Sequence, residues 1–261
     1  MTFAKELRGW RQRRGVSQIE LALRAGTTQR HVSFMESGRS TPGRPMVIRL
    51  AESLEVPLRE RNTLLLSAGY APAYQESDWN DESITPVRRA LESVLRGHEP
   101  YPAILVDRRG NLVAANNAFH TLTEDVAPDL RVPPINVARL FLHPEGLAPR
   151  IANLDEWAWH VLDGLRLQTA RNPNPQLTTL IDELVALVPN RPKKPGPEHL
   201  GFAVPLRLHA RRGELHLMTT LSHFGTALDV TVAELKLEAF LPADEKTAAL
   251  LATTITHQRT T

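Results

Sequence analysis

With 261 residues, 42% of them hydrophobic and 23% charged, the chain can bury one large core or two modest ones. The absence of cysteine excludes disulfides and thiolate metal sites and fits a reducing cytoplasm, and no run approaches the ~18 apolar residues of a membrane helix. The net charge of +2 conceals a split: residues 1–75 carry 12 Lys and Arg against 6 Asp and Glu, and the rest 19 against 23, so a head of +6 precedes a body of −4. The opening MTFAKELRGW has no apolar segment followed by a small-residue cleavage site and reads as no export signal. A small basic unit, with Arg8, Arg11, Arg13 and Arg14 in its first fourteen residues, suggests a polyanion-binding head on a body with another task.

Residues 3–70 read as five short helices. Phe3, Leu7 and Trp10 recur at helical spacing in the first. Ser17 followed by Glu20 is a capping-box pattern that opens the second. Thr27 or Thr28 opens the third, and Gly38 closes it. TPGRP forces a loop before Pro45 enters the first turn of a fourth helix, and VPLRERNTLLLSAGY supplies the fifth. Residues 71–86, acidic and bracketed by prolines, read as a linker, after which Thr85 and Pro86 suit the N-cap and first position of the helix VRRALESVLRG.

The remainder, 87–261, changes character. AILVDRRGNLVAANNAF holds two short strand-like runs, 103–107 and 111–115, around a hairpin turn, then a helix start at Asn116 or Asn117. DEWAWHVLDGLRLQTAR and PQLTTLIDELVALV are helical, and RPKKPGP at 191–197 is incompatible with regular structure. FAVPLRLHA, GELHLMTTLSHFG and DVTVAELKLEAF read as three strands, with RRGE as a second hairpin turn. Strands, a helical middle and more strands make an α+β domain with one mostly antiparallel sheet.

The segment SQIELALRAGTTQRHVSFMESGR is two helical patterns hinged on AGT. In a helix-turn-helix two helices cross steeply with backbones close together, and Ala22, Ala25 and Gly26 supply the small residues that this needs. Val32 and Met35, with Leu21, lock the second helix to the core. That leaves Gln29, Arg30, Ser33 and Phe34 outward. Glutamine can pair with adenine, arginine with guanine, and a phenyl edge can meet a thymine methyl. Gln18 and Thr28, at helix starts, suit phosphate, and Arg39 and Arg44 in the following loop can reach phosphate or the minor groove. Glu36 would repel DNA, and its position suits a structural salt bridge to Arg11.

These residues resemble the helix-turn-helix of lambdoid phage repressors and of xenobiotic-response-element-type bacterial regulators. The resemblance covers roughly residues 3–68, including E-x-G-R at Glu36–Arg39. It implies that the positions of Gln29, Arg30 and Phe34 read bases and that of Gln18 holds phosphate, while Arg30 and Phe34 depart from the usual residue types. The recognised sequence should therefore differ. Further on, AILVDRRGNLVAANNAF, LFLHPEGLAPRIANLDEWAWHVL and TLSHFGTALDVTVAELKLEAFLPADEKTAALL resemble the MmyB/MltR-like regulators. That resemblance implies a PAS-like ligand-binding domain whose ligand is fatty-acid-like.

Nothing in the second half suggests catalysis. G-x-S-x-G, G-x-G-x-x-G and the P-loop are all missing from the sequence. His209, His216 and His223 recur every seven residues, and the hairpin can bring the first two together, but no acidic ligand cluster accompanies them, so neither metal nor cofactor is expected. Phe119, Phe141, Trp157, His160, Val161 and Gly164 make a more suggestive set, since Gly164 thins a helix face that Trp157 and Val161 share. They are candidates for an apolar pocket, with His143 or Arg150 at its mouth for a ligand carboxylate.

The chain thus reads as a cytoplasmic, non-enzymatic transcription regulator of two domains, 1–70 and 87–261, joined by the linker 71–86. Its partners would be an operator in double-stranded DNA and a small hydrophobic effector. A single head buries too little surface for tight binding, so a homodimer reading two half-sites is expected. The alternative is a C-terminal domain that serves as a protein-interaction module without a small molecule.

Overall fold

The computed structural model describes residues 2–192, 204–224 and 227–258. The chain forms two compact units: Met1–Trp79 with Gly225–Ala233, and Asn80–Phe224 with Glu234–Thr261.

The first unit holds α1 (Phe3–Arg13), α2 (Gln18–Arg24), α3 (Gln29–Glu36), α4 (Arg44–Ser53) and α5 (Leu58–Ser67), the five helices read from the sequence. Ser17 Oγ accepts the Glu20 amide at 3.1 Å, but the Glu20 carboxylate turns to Arg24 at 2.5 Å, so only half of the capping box forms. Thr28 Oγ1 caps α3 by accepting the His31 amide at 3.2 Å. Gly26 (φ 62°) and Gly38 (φ 74°) make the turns on either side of α3, where a side chain would be strained. Leu7, Leu21, Val32, Met35, Leu50 and Leu64 fill a core with essentially no solvent access. Residues beyond α5 remain on this unit, because Asn62 Oδ1 accepts the Ala73 and Tyr74 amides at 3.0 and 3.1 Å.

The second unit begins with a 3-10 turn, Glu82–Ile84, that leads into α6 (Thr85–Gly97). Thr85 and Pro86 therefore fall one position inside the helix start expected for them. Then follow β1 (Ala103–Val106), β2 (Leu112–Ala115), α7 (Asn117–Leu122), α8 (Val137–Leu142), α9 (Leu154–Arg171) and α10 (Pro175–Leu187). The chain ends in β3 (Leu206–Ala210), β4 (Gly213–His223), α11 (Val230–Glu234), β5 (Lys236–Pro242) and α12 (Glu245–Gln258), of which α11 falls almost wholly in the first unit. The five strands pair antiparallel in the order β2-β1-β5-β4-β3. This is the expected PAS-like α+β domain with its antiparallel sheet.

Two readings of the sequence need correction or supplement. DVTVAELKLEAF is not one strand: Asp229 Oδ1 accepts the Thr231 and Val232 amides, which caps a helical turn before β5 starts at Lys236. α12 was not anticipated, although Asp244 accepts the Thr247 amide at 2.7 Å as a helix-starting side chain does. The proline-rich run 191–197 lies mostly outside the described residues.

Candidate nucleic-acid interface and ligand cavity

The geometry around α3 is set by one carboxylate. Glu36 accepts both forks of Arg11, Nε at 2.6 Å and Nη2 at 2.9 Å, and the Gln18 side-chain amide at 2.9 Å. Burial alone would raise the Glu36 pKa, but the hydrogen bonds from Arg11 and Gln18 outweigh it and hold the carboxyl below its ordinary value. The expected Arg11–Glu36 pair is thus present and ties α1, α2 and α3 together. Arg14 is structural too, donating to the Leu54 and Glu55 carbonyls at 3.0 Å.

With Val32 and Met35 fully buried beneath, α3 presents Gln29 and Arg30 exposed and Ser33 and Phe34 half-buried. The Arg30 and Arg39 guanidinium groups lie 5.2 and 5.9 Å from the Phe34 ring centre, so the apolar ring is flanked by two cations. Arg39 and Arg44 are exposed, and among the described residues neither is held in an ion pair. Gln18 is half-buried and gives one amide hydrogen to Glu36, leaving its second for another acceptor.

A sequence model of the helix-turn-helix matches residues 7–61. The ligand binding domain of the MmyB-like transcription regulators matches residues 87–253. The chain belongs to this family of regulators. It is a helix-turn-helix DNA-binding transcription regulator with an MmyB-like ligand-binding domain. No curated protein matches it. No helix among the described residues is long and apolar enough to cross a membrane.

In the regulator's ligand-binding domain, Phe141, Trp157, His160, Val161 and Gly164 line one cavity of about 280 Å³. Phe119 stands behind it in the core, 6.3 Å from both Phe141 and Phe240. His143 and Arg150 are not on its wall: His143 Nδ1 accepts the Glu145 amide at 3.1 Å, and Arg150 donates to the His209 and Leu122 carbonyls. Arg150 lines a separate cavity of about 290 Å³, beside Arg211 and Leu250. Gly164 lines the first cavity, and a Cβ built there meets nothing within 4 Å.

The polar groups on this wall escaped the sequence reading. Gln168 comes from α9, and Lys236 and Glu238 come from β5. Lys236 Nζ is hydrogen-bonded to Gln168 Oε1. Burial lowers the Lys236 pKa against the pull of Glu238 and Asp107, while burial raises that of Glu238 against Lys236. In KLEAF, the charges alternate with Leu237 and Ala239, a pattern that normally marks a solvent face. Here that face is half-buried instead of open, because Lys236, Glu238 and Phe240 line the cavity. The third histidine, His223, is paired with Lys236 across β4 and β5, and its pKa is lowered by burial and by that lysine. His209 and His216 lie diagonally on β3 and β4 with Glu214 between them, 4.0 and 3.2 Å away, and no group of metal-binding residues forms among the described residues.

Proposed function

We propose that this regulator binds an operator as a homodimer in the cytoplasm and that a small apolar effector in the cavity alters its affinity. Gln29, Arg30, Ser33 and Phe34 read base edges in the major groove, with Gln18, Thr28, Arg39 and Arg44 on the phosphates or the adjoining minor groove. The observation that carries this reading is the face of α3, which keeps Arg30 exposed beside Phe34 while Glu36 is sequestered by Arg11 and Gln18. Removing the one acidic side chain of α3 leaves a surface suited to a polyanion. Two heads on a two-fold axis would meet half-sites one helical turn, or a multiple of it, apart.

The effector reading is supported by the cavity's rings. Phe141 and Trp157 are 5.4 Å apart, Phe141 and Phe240 are 5.5 Å apart, and Val161, Leu165 and Leu177 complete the apolar lining. An effector acts only through its different affinity for two arrangements of the protein. The test is selection of bound duplexes from a random pool by the purified chain, with sedimentation of the complex. A recovered palindrome bound by two chains is expected. Binding of all duplexes alike in dilute salt, or a monomer on a single site, would overturn the corresponding part of the proposal.

A further inference from the structure

The cavity wall carries two polar groups that its apolar lining does not require. Lys236 and Glu238 stand two residues apart on β5, so their side chains leave the same face of the sheet. Glu238 pairs in register with Ile104 of β1 and Leu221 of β4, which gives the carboxyl aliphatic neighbours on both sides. It lines the cavity, is half-buried, and accepts no hydrogen bond from any described residue. Asp107, the other carboxylate on this wall, is already committed, since its oxygens accept the Arg109 and Asn111 amides at 2.7 and 2.8 Å and Asn111 Nδ2 at 3.0 Å. Lys236, held by Gln168, keeps further hydrogens to donate.

Charge then decides which head group fits. A lysine and a glutamate facing one apolar chamber are neutral as a pair. A carboxylate ligand would bring a second negative charge beside Glu238, and two carboxylates sharing one site disfavour each other's ionised form. Its entry would require a proton to be taken up. The other titratable groups facing the pair are Asp107, His160 of α9 and His223 of β4. A neutral amide needs no such transfer, because its carbonyl accepts from Lys236 while its N–H donates to Glu238. The side chains of residues two apart on a strand leave the backbone ~6.6 Å apart, which suits a head with donor and acceptor on different atoms. Size sets the tail: at ~30 Å³ per water molecule, a cavity of about 280 Å³ equals roughly nine waters, or about ten non-hydrogen atoms.

We infer that the effector is a neutral acyl amide of about ten non-hydrogen atoms, with its carbonyl on Lys236, its N–H on Glu238 and its tail among Phe141, Trp157 and Phe240. This rests on the effector cavity proposed above and puts an amide head where the sequence resemblance implies a fatty acid's carboxylate.

The test is calorimetric titration of the full chain at pH 7.5 with octanamide, octanoate and octan-1-ol. Octanamide is expected to bind about tenfold tighter than octanoate, the worth of one well-made hydrogen bond. Octanoate binding should take up about one proton, read from its heat in two buffers of different ionisation enthalpy. Glu238→Gln should bring octanoate to within about threefold of octanamide, and Lys236→Met should weaken octanamide about tenfold. If either variant fails to fold, the wild-type ratio and proton count decide alone. Octanoate binding as tightly as octanamide, or binding without proton uptake, overturns the head-group assignment and leaves the effector cavity standing. Silence from all three compounds overturns both.

Discussion

Asp229 accepts the backbone amide of Ser77 at 3.1 Å across 152 positions of chain. The Thr231 hydroxyl donates to the Ser77 carbonyl at 2.6 Å, and the Val230 amide donates to the Gln75 carbonyl at 2.8 Å. The connection between β4 and β5 is thereby stitched to the segment that follows α5, and it belongs to the unit that carries α3. β4 and β5 are also the strands that bring Leu221, Lys236 and Glu238 to the cavity. Asp229→Ala leaves the Ser77, Thr231 and Val232 amides without their acceptor, a local cost of about 1–3 kcal/mol. Hydrogen exchange at those amides should accelerate accordingly, and any effector-dependent change in operator affinity should shrink while affinity for the effector holds. Unchanged exchange would show that the clasp bears no load.

The Arg11–Glu36 pair yields a prediction with a definite pH sign. The two side chains retain only 13% and 4% of their exposure, so removing one strands the other. Arg11→Ala should cost the head about 3–5 kcal/mol, read from exchange of the Val32 and Met35 amides. Because Glu36 is held below its ordinary value, the folded head binds its proton less readily than the unfolded chain does. This contribution is complete above about pH 4.3 and is lost as the pH falls through the lower folded value. A wild-type head whose stability stays flat through that range would remove the pair from its central place.

The head was legible in the sequence because short-range rules act there without conflict. Caps at Ser17 and Thr28, glycines at the turns and apolar spacing all point to the same five helices. The cavity was legible only on its helical side, where Trp157, His160, Val161 and Gly164 share a face of α9. Its sheet side was not, since alternation in β5 says which residues share a face but not which face meets water. The same limit hid Gln168, whose role depends on Lys236 arriving from 68 positions away. Charge suits Arg150 and His143 to a pocket mouth, but backbone groups use both instead.

Base reading and phosphate holding should separate on mutation. Arg30→Ala is expected to cost about 1–3 kcal/mol on the cognate operator and to relax preference at one base pair. Arg39→Ala should weaken cognate and scrambled duplexes alike and lower the salt dependence by about one counterion. Titrations of both variants against both duplexes over a series of salt concentrations supply the comparison. An equal loss for Arg30→Ala on cognate and scrambled DNA would make it a second phosphate contact.

Gly164 offers a test of the cavity from its own wall. It lies inside α9, where a glycine costs roughly 0.5–1 kcal/mol relative to alanine. Gly164 lines the cavity, is itself exposed, and a Cβ built there meets nothing within 4 Å. Gly164→Ala should therefore stabilise the domain by about that amount and leave room for an effector. Gly164→Leu extends the same bond further into the chamber and competes with the ligand for its volume. The expected pattern is a melting temperature at or above wild type in both variants, with effector affinity nearly retained in alanine and lost by more than tenfold in leucine. Full affinity in a folded Gly164→Leu protein would place the effector elsewhere, and the second cavity beside Arg150 would become the next to examine.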